Sequence, residues 1–598
     1  MPKKLLVTLI FLSLCFTGFF VPPMAGADEA LGESLTPPGR LFALPQGENS
    51  QGEWQIYLGW RLDSQKKDVR YNVYRSPDGT DYARVNGALI KKSTNYLDGT
   101  DIAAGTTYYY YVRAVDPETG VESGNSHVVE VTAGARTNVY RKIDPILPNP
   151  AVGRAKAGDI DGDGLPDFLV KCRTTARWLS REELEDDERE DLAQHGNVHI
   201  KVYYNDGRLA CDIDMRETEQ LPLFPWSFWD VNGDGKEELI GVMRDTALND
   251  YCLTVIDPTY EPSPGYKVLS KIQVPSSNYP WEPRTIRYKS IAFAHLDGKR
   301  PYILYNSGYQ WNQRRYVRAY TYDNQPQLTT HWQFYEAPYV GLSTCHQFEV
   351  VDIDRDGKDE AFMGIYVFDE NGLWQERWGG HEWWHPDGVH AGYIKPGGEV
   401  NGNQEVYFNL EQTPAGIHVT DWKGKEFKKW KGIDDCPYTK HAHAGWIADV
   451  VERTPGMEVW VYYKRTGMGM VCPFLYDCDG NKFEIIGENL HLGYGPVDWD
   501  GHGPLEVNCI PDIEQLVADP HDKTTLYLKP IHPPQNIDGV KFIMDLIGDY
   551  REEIFTVIRG TTGHLYLEVY TNTQLNTRRK PSPSENRQYL QKHRWAGH

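Results

Sequence analysis

The sequence of 598 residues is poor in cysteine, with nine in all and no pair at C-x-x-C spacing. So thin a set cannot frame a disulfide-stapled chain of this length, and it excludes a cysteine-built zinc site. The eight that follow Cys15 are Cys172, Cys211, Cys252, Cys345, Cys436, Cys472, Cys478 and Cys509, an even count that permits one or two bridges without assigning them. Basic surplus is also missing: 62 Lys and Arg stand against 84 Asp and Glu, for a net charge of -22. Nothing there neutralises phosphates, so nucleic acid and anionic membranes are excluded as partners. After the first twenty residues no apolar run reaches the ~20 residues of a membrane helix, which excludes membrane insertion.

What is present suits a chain of many strands. Hydrophobic residues make up 40% and aromatics 13%, with 55 Gly and 38 Pro to supply turns. That is enough apolar surface for a large core and rules out bulk disorder. The length allows three or four domains, or one large repeat architecture with an appendage. At the N-terminus, Lys3 and Lys4 precede an apolar run from Leu5 to Phe20, and Ala25-Gly26-Ala27 offers small residues for cleavage. This pattern predicts a secretory signal over residues 1–27 and a secreted or periplasmic mature chain, expected to be a monomer.

Residues 35–135 alternate as strands do, in Trp54–Trp60, Tyr71–Arg75 and Tyr108–Val115, with turn signals at Pro77-Asp78-Gly79 and Asp98-Gly99. The spacing predicts a small β-sandwich resembling a fibronectin type III domain. Its expected role is to position the larger domain; a separate carbohydrate-binding face is the alternative.

Residues 140–598 hold an internal repeat. Asp159-Ile160-Asp161-Gly162-Asp163-Gly164-Leu165-Pro166-Asp167 precedes an apolar strand, and the frame returns from Asp230 to Glu238 and from Asp352 to Glu360. A fourth copy, Asp498 to Glu506, carries His502 at its centre, and weaker relatives start near 295, 393, 449 and 545. Intervals of about 42 to 71 residues suit four strands per unit, as in propeller blades. The fold class is therefore all-β: an eight-bladed β-propeller preceded by the sandwich. The acidic run Arg181–Leu192 breaks the pattern and reads as a solvated helix or loop inserted in the first blade.

Loops of the form D-x-[DN]-x-D-G-x-x-[DE] set oxygen ligands at alternate positions, with glycine allowing the tight turn. Six to eight hard oxygens suit Ca²⁺ far better than Zn²⁺. The predicted ligands are Asp159, Asp161, Asp163, Leu165 and Asp167; Asp230, Asn232, Asp234, Lys236 and Glu238; Asp352, Asp354, Asp356, Lys358 and Glu360; and Asp498, Asp500 and Glu506, with Leu165, Lys236 and Lys358 at the loop's seventh place. These ions are expected to staple the blades rather than touch substrate. Four of them would offset eight charges and leave about -14, so the acidity no longer argues against a polyanionic sugar.

The histidines carry a second signal. His346, His390 and His443 each lie a few residues before a repeat start, so equivalent positions in successive blades could converge near the axis. For an isolated His a structural role is the commoner reading; three at matched positions raise a shared site to equal standing.

Taken in order, Leu58-Gly59-Trp60-Arg61-Leu62, Tyr71-Asn72-Val73-Tyr74-Arg75, the Asp159 and Asp230 loops, Val389-His390-Ala391-Gly392 and Gly548-Asp549-Tyr550-Arg551-Glu552-Glu553 resemble the rhamnogalacturonan lyases of polysaccharide lyase family 11. The resemblance runs over about residues 38–598. It implies the sandwich, the eight-bladed propeller, structural calcium, a groove for an acidic polysaccharide, and β-elimination at a uronic acid. It also associates His346 and His390 with an active-site calcium.

Such chemistry must neutralise the uronate carboxylate, remove the C5 proton and protonate the departing O4. His346, His390 and His443 are the candidates for base or metal ligand, and the sequence leaves the two roles open. Arg173, Arg314 and Arg551 are candidate carboxylate partners, and Tyr309 a candidate acid or sugar platform. Trp383 and Trp384 are candidates to stack on sugar rings. Rival readings are a lyase of changed specificity on ulvan or rhamnose–glucuronate linkages, and a non-catalytic carbohydrate-binding or adhesion propeller.

Overall fold

A computed structural model describes residues 35–575, except 63–67, 145–150, 174–197, 215–225, 246, 249, 275–288, 308–314, 337–347, 376–377, 379–385, 399–401, 403, 411–415, 431–441, 452–453, 466–468, 487–495, 499–504, 510–511, 519–524, 531–536 and 560–564, together with residues 589 and 591. The expected signal segment, the acidic run Arg181–Leu192, Tyr309, Arg314, His346, Trp383, Trp384 and Asp500 lie outside the described residues.

The chain is all-β. Its first seven strands make two antiparallel sheets. Phe42–Glu48, Trp54–Gly59 and Asn95–Asp98 form one; Ala83–Arg84, Arg70–Ser76, Thr107–Val115 and Val129–Thr132 form the other. Side chains alternate along Thr107–Val115, so Tyr108, Tyr110, Val112 and Ala114 enter a core shared with Ile56, Leu58, Trp60 and Val73. Each large side chain buried there contributes about 1.5–3 kcal/mol relative to exposure. The buried Asp98 carboxylate is held by Arg75 at 2.8 Å and by the Tyr110 hydroxyl at 2.9 Å.

Eight further sheets follow from Val139 onward among the described residues. Most have four antiparallel strands in chain order, as in Trp226–Trp229, Glu238–Asp245, Asp250–Asp257 and Lys267–Gln273. Close packing between neighbouring strands requires glycine locally: a Cβ on Gly241 would lie 2.1 Å from the ring of Trp226, its register partner. The sequence spacing predicts four strands per unit, and two sheets depart from it. The sheet starting at Ala442–Ala448 has three strands. Glu484–Ile486, the next strand in the chain, instead pairs parallel with Thr525–Pro530 in the following sheet.

The first strands adjoin in order: Ala151–Gly158, Trp226–Trp229, Lys289–Ala294, Glu349–Val351, Pro386–Gly392 and Ala442–Ala448. The last sheet begins with Ile537–Met544, which lies against Ala151–Gly158, and it is completed by Val139–Ile143 from the other end of the chain. Every repeat start read from the sequence falls directly after a first strand, from Asp159 after Gly158 to Asp545 after Met544. The first of the leading sheets packs on the first and last of these eight, where Phe42, Leu44 and Tyr57 share a core with Phe168, Leu546 and Phe555.

Candidate functional site

The three strong loops fold alike because one aspartate organises each turn. Asp159 accepts from the N–H groups of Gly162 (2.7 Å) and Gly164 (2.9 Å). Asp230 accepts from Gly233 (2.6 Å) and Gly235 (3.0 Å), and Asp352 from Gly357 (3.0 Å). Gly162, Gly164, Gly233 and Gly235 have φ between 78° and 87°, a region closed to most side chains. In the third loop Arg355 takes the first of these places at φ 64°, and its guanidinium reaches the hydroxyl of Tyr393 (2.5 Å).

The last acidic residue of each frame caps the loop from inside. Asp167 accepts from Ile160 N (2.8 Å), Glu238 from Val231 N (3.0 Å) and Glu360 from Ile353 N (3.0 Å). Burial, followed by lesser contributions from the neighbouring aspartates, pushes all three carboxyls up to about 8. The same cap persists where the rest of the motif has decayed, as Glu405 to Ile394 N (2.9 Å), Glu458 to Val450 N (2.8 Å) and Glu553 to Leu546 N (2.7 Å). The repeat's final carboxylate thus has a role in the turn that needs no ion.

The donor sets nevertheless fit a hard cation. Ligand atoms of Asp159, Asp161 and Asp167 lie within 4.8 Å of one another, as do those of Asp352, Asp354 and Asp356. Asp352 Oδ1 is buried with no hydrogen-bond partner. Crowded carboxylates with oxygens left over are what a divalent cation neutralises. In the second loop the Asn232 amide bridges Asp234 (3.1 Å) and Glu238 (2.5 Å). In the fourth, Asp498 N donates to Glu552 (2.9 Å); the side chain of Glu506 is not among those described.

Of the three candidate histidines, His390 is the one whose side chain is described. It lies on Pro386–Gly392 opposite Tyr407, with the two rings 6.0 Å apart and nearly parallel. Its side chain is 20% exposed, and Nδ1 is 4.0 Å from the buried carboxylate of Glu349 on the preceding sheet's first strand. Glu349 also accepts from Ala391 N (3.0 Å), which ties that carboxylate to the strand bearing His390. Nothing in the sequence pattern singles out Glu349; only the pairing of two first strands brings it there. The backbone of His443 falls at a register shift in Ala442–Ala448, a strand that adjoins Pro386–Gly392. Arg173 ends the strand Asp167–Arg173.

Arg551 is a correction. Expected at a substrate carboxylate, it is 1% exposed and is enclosed by Asp549 (2.5 Å), Tyr57 hydroxyl (2.7 Å) and the Gln574 carbonyl (3.0 Å). A guanidinium so committed holds the last sheet to the leading pair. The thiols of Cys172, Cys211 and Cys478 are buried outside any disulfide, and burial pushes Cys172 and Cys211 up to about 12, which leaves them inert at neutral pH.

The all-β fold of this chain is shared with known proteins. The family described as rhamnogalacturonan lyase family 11, C-terminal domain, matches residues 278–596. The chain belongs to rhamnogalacturonan lyase family 11. Among relatives, the rhamnogalacturonan endolyase YesW of Bacillus subtilis is 25% identical over 601 aligned positions, covering 90% of this chain and 84% of that protein. The exolyase YesX of the same organism is 25% identical, covering 88% of each. The solved rhamnogalacturonan lyase of Bacillus licheniformis superposes with a TM-score of 0.70 at 22% identity, over 94% of both chains.

Proposed function

We propose that this protein is a polysaccharide lyase that cleaves rhamnogalacturonan by β-elimination at its uronic acid. Family membership over residues 278–596 carries the reading, and similarity to an endolyase and an exolyase over 90% and 88% of the chain supports it. In this reading residues 35–135 are a fibronectin-III-like sandwich and residues 140–598 an eight-bladed propeller. The succession of adjoining first strands, and the last sheet built from both ends of the chain, are the observations in its favour. The mature chain is exported after loss of residues 1–27 and acts as a monomer on an acidic polysaccharide.

Elimination places three demands on the chain. His390 stands on the first strand of its sheet with its ring partly exposed, and the buried Glu349 carboxylate lies 4.0 Å from its Nδ1. It takes the C5 proton or holds the charge of the carboxylate, with His346 and His443 as its nearest rivals. Arg173 and Arg314 are the remaining guanidinium candidates for the uronate, and Tyr309 is the candidate proton donor to O4. Calcium, where bound, supplies positive charge; in the loops it would be held by Asp159, Asp161, Asp163, Leu165 and Asp167 and their counterparts, including Asp498, Asp500 and Glu506. The test is incubation of the protein with rhamnogalacturonan in calcium buffer. Ultraviolet absorbance of an unsaturated uronate is expected, and its absence with a folded protein overturns the proposal.

A further inference from the structure

In most sheets the residue just before the second strand bonds to the corresponding loop of the sheet before it. Glu237 N donates to Asp159 O (2.8 Å), Asp359 N to His295 O (3.1 Å), Met457 N to Ile394 O (2.8 Å), Leu505 N to Asp449 O (2.7 Å) and Glu552 N to Asp498 O (2.8 Å). Gln404 reaches Asp352 O with its side-chain amide instead (3.2 Å). These bonds stitch one turn to the next. Two seams have a proline there with no N–H to give: Pro301 between the second and third sheets, and Pro166 between the last sheet and the first.

Another group occupies the latter seam. Arg40, from the segment leading into Phe42–Glu48, donates from Nε to the carbonyl of Gly164 (2.5 Å) in the first acidic loop. Its Nη1 donates to the carbonyl of Leu546 (3.1 Å) in the last. The backbone of Arg40 is held at φ 51°, an unfavourable region for a side-chain-bearing residue. Its side chain and that of Arg61 close on Gly548, where an added Cβ would lie 3.1 Å from both. Burial and Arg61 lower its pKa, while Asp545 and Asp159 act to raise it.

We infer that Arg40 is the clasp of the closing seam: it replaces the backbone bond that Pro166 cannot make, and through Gly164 it fixes the first cation loop. The leading sheets thereby become part of the ring's closure and of that loop's shape. A planar guanidinium suits the task because its fork reaches two carbonyls at once, which an ammonium does not.

Hydrogen exchange tests this segment by segment, with no substrate present. Arg40→Ala is expected to speed amide exchange in residues 159–167 and 545–553 by about tenfold or more, the worth of a lost charge-assisted bond. Exchange in residues 230–238 and 352–360 of the same molecule is expected to stay as in the parent. Arg40→Lys, which keeps the charge and the fold but not the fork, is expected to show the same local loss. Adding Pro166→Ala, which restores an N–H donor, is expected to return protection to both segments. Parent-like exchange at the seam in both Arg40 variants would overturn the inference. So would a double variant that regains nothing, or a loss spread equally over all four loops.

Discussion

The hydroxyl of Tyr57 accepts from Arg551 Nη2 at 2.7 Å, joining the leading sheets to the last sheet of the chain. Both residues are buried, and Asp549 closes the guanidinium from the other side at 2.5 Å. Arg551→Ala strands that carboxylate without its counter-charge. A loss of about 3–5 kcal/mol is expected in urea unfolding. Activity per folded molecule should be unchanged, and a large fall in turnover by a fully stable variant would return Arg551 to the substrate.

His390 is expected to matter in the opposite way. His390→Ala should lower turnover by about 10²–10⁴-fold with little change in melting temperature. Glu349→Gln keeps the shape and removes the charge 4.0 Å from His390 Nδ1, and turnover is expected to fall with little change in melting temperature. Parent-like turnover separates the two residues.

Chelation addresses the acidic loops. If ions fill them, each contributes about 2.7 kcal/mol at a hundred times its Kd, and removal lowers the melting temperature accordingly. Asp352→Asn should remove part of that calcium response in differential scanning calorimetry, because Asp352 organises its turn and carries a buried oxygen without a partner. A parent with no response to chelator contradicts structural calcium.

Two buried carboxyls set a pH dependence. Burial pushes Glu458 up to about 8 and Glu552 up to about 7. Their unfolded values lie at about 4.3, so between those limits the folded chain holds more protons than the unfolded one. Stability is then expected to fall as pH rises from about 5 to 8. Glu458→Gln, neutral throughout, should flatten the slope of unfolding midpoint against pH, and an unchanged slope removes Glu458 as its source.

The periodic acidic frame made much of the architecture legible in the sequence. Even the decayed starts near 295, 393, 449 and 545 fall after first strands, and at the last three the capping carboxylate survives where the ion ligands do not. An arginine beside aspartate and glutamate, as Arg551 is, looks the same in sequence whether it faces solvent or a neighbouring sheet. Glu349 and Arg40 are invisible in the sequence because each acts on a residue brought near only by sheet-to-sheet packing, His390 and Gly164 being 41 and 124 positions further along the chain. Pro166, an ordinary turn residue in isolation, gains meaning only beside the N–H groups that its counterparts donate.

The central claim is cleavage by elimination, and the isotope content of the products tests it most directly. Rhamnogalacturonan is digested in water enriched in heavy oxygen, and the new chain ends are weighed by mass spectrometry. The account predicts one unsaturated uronate per cut and no heavy oxygen fixed at the broken linkage. Saturated products carrying one heavy oxygen per cut would show hydrolysis and contradict it.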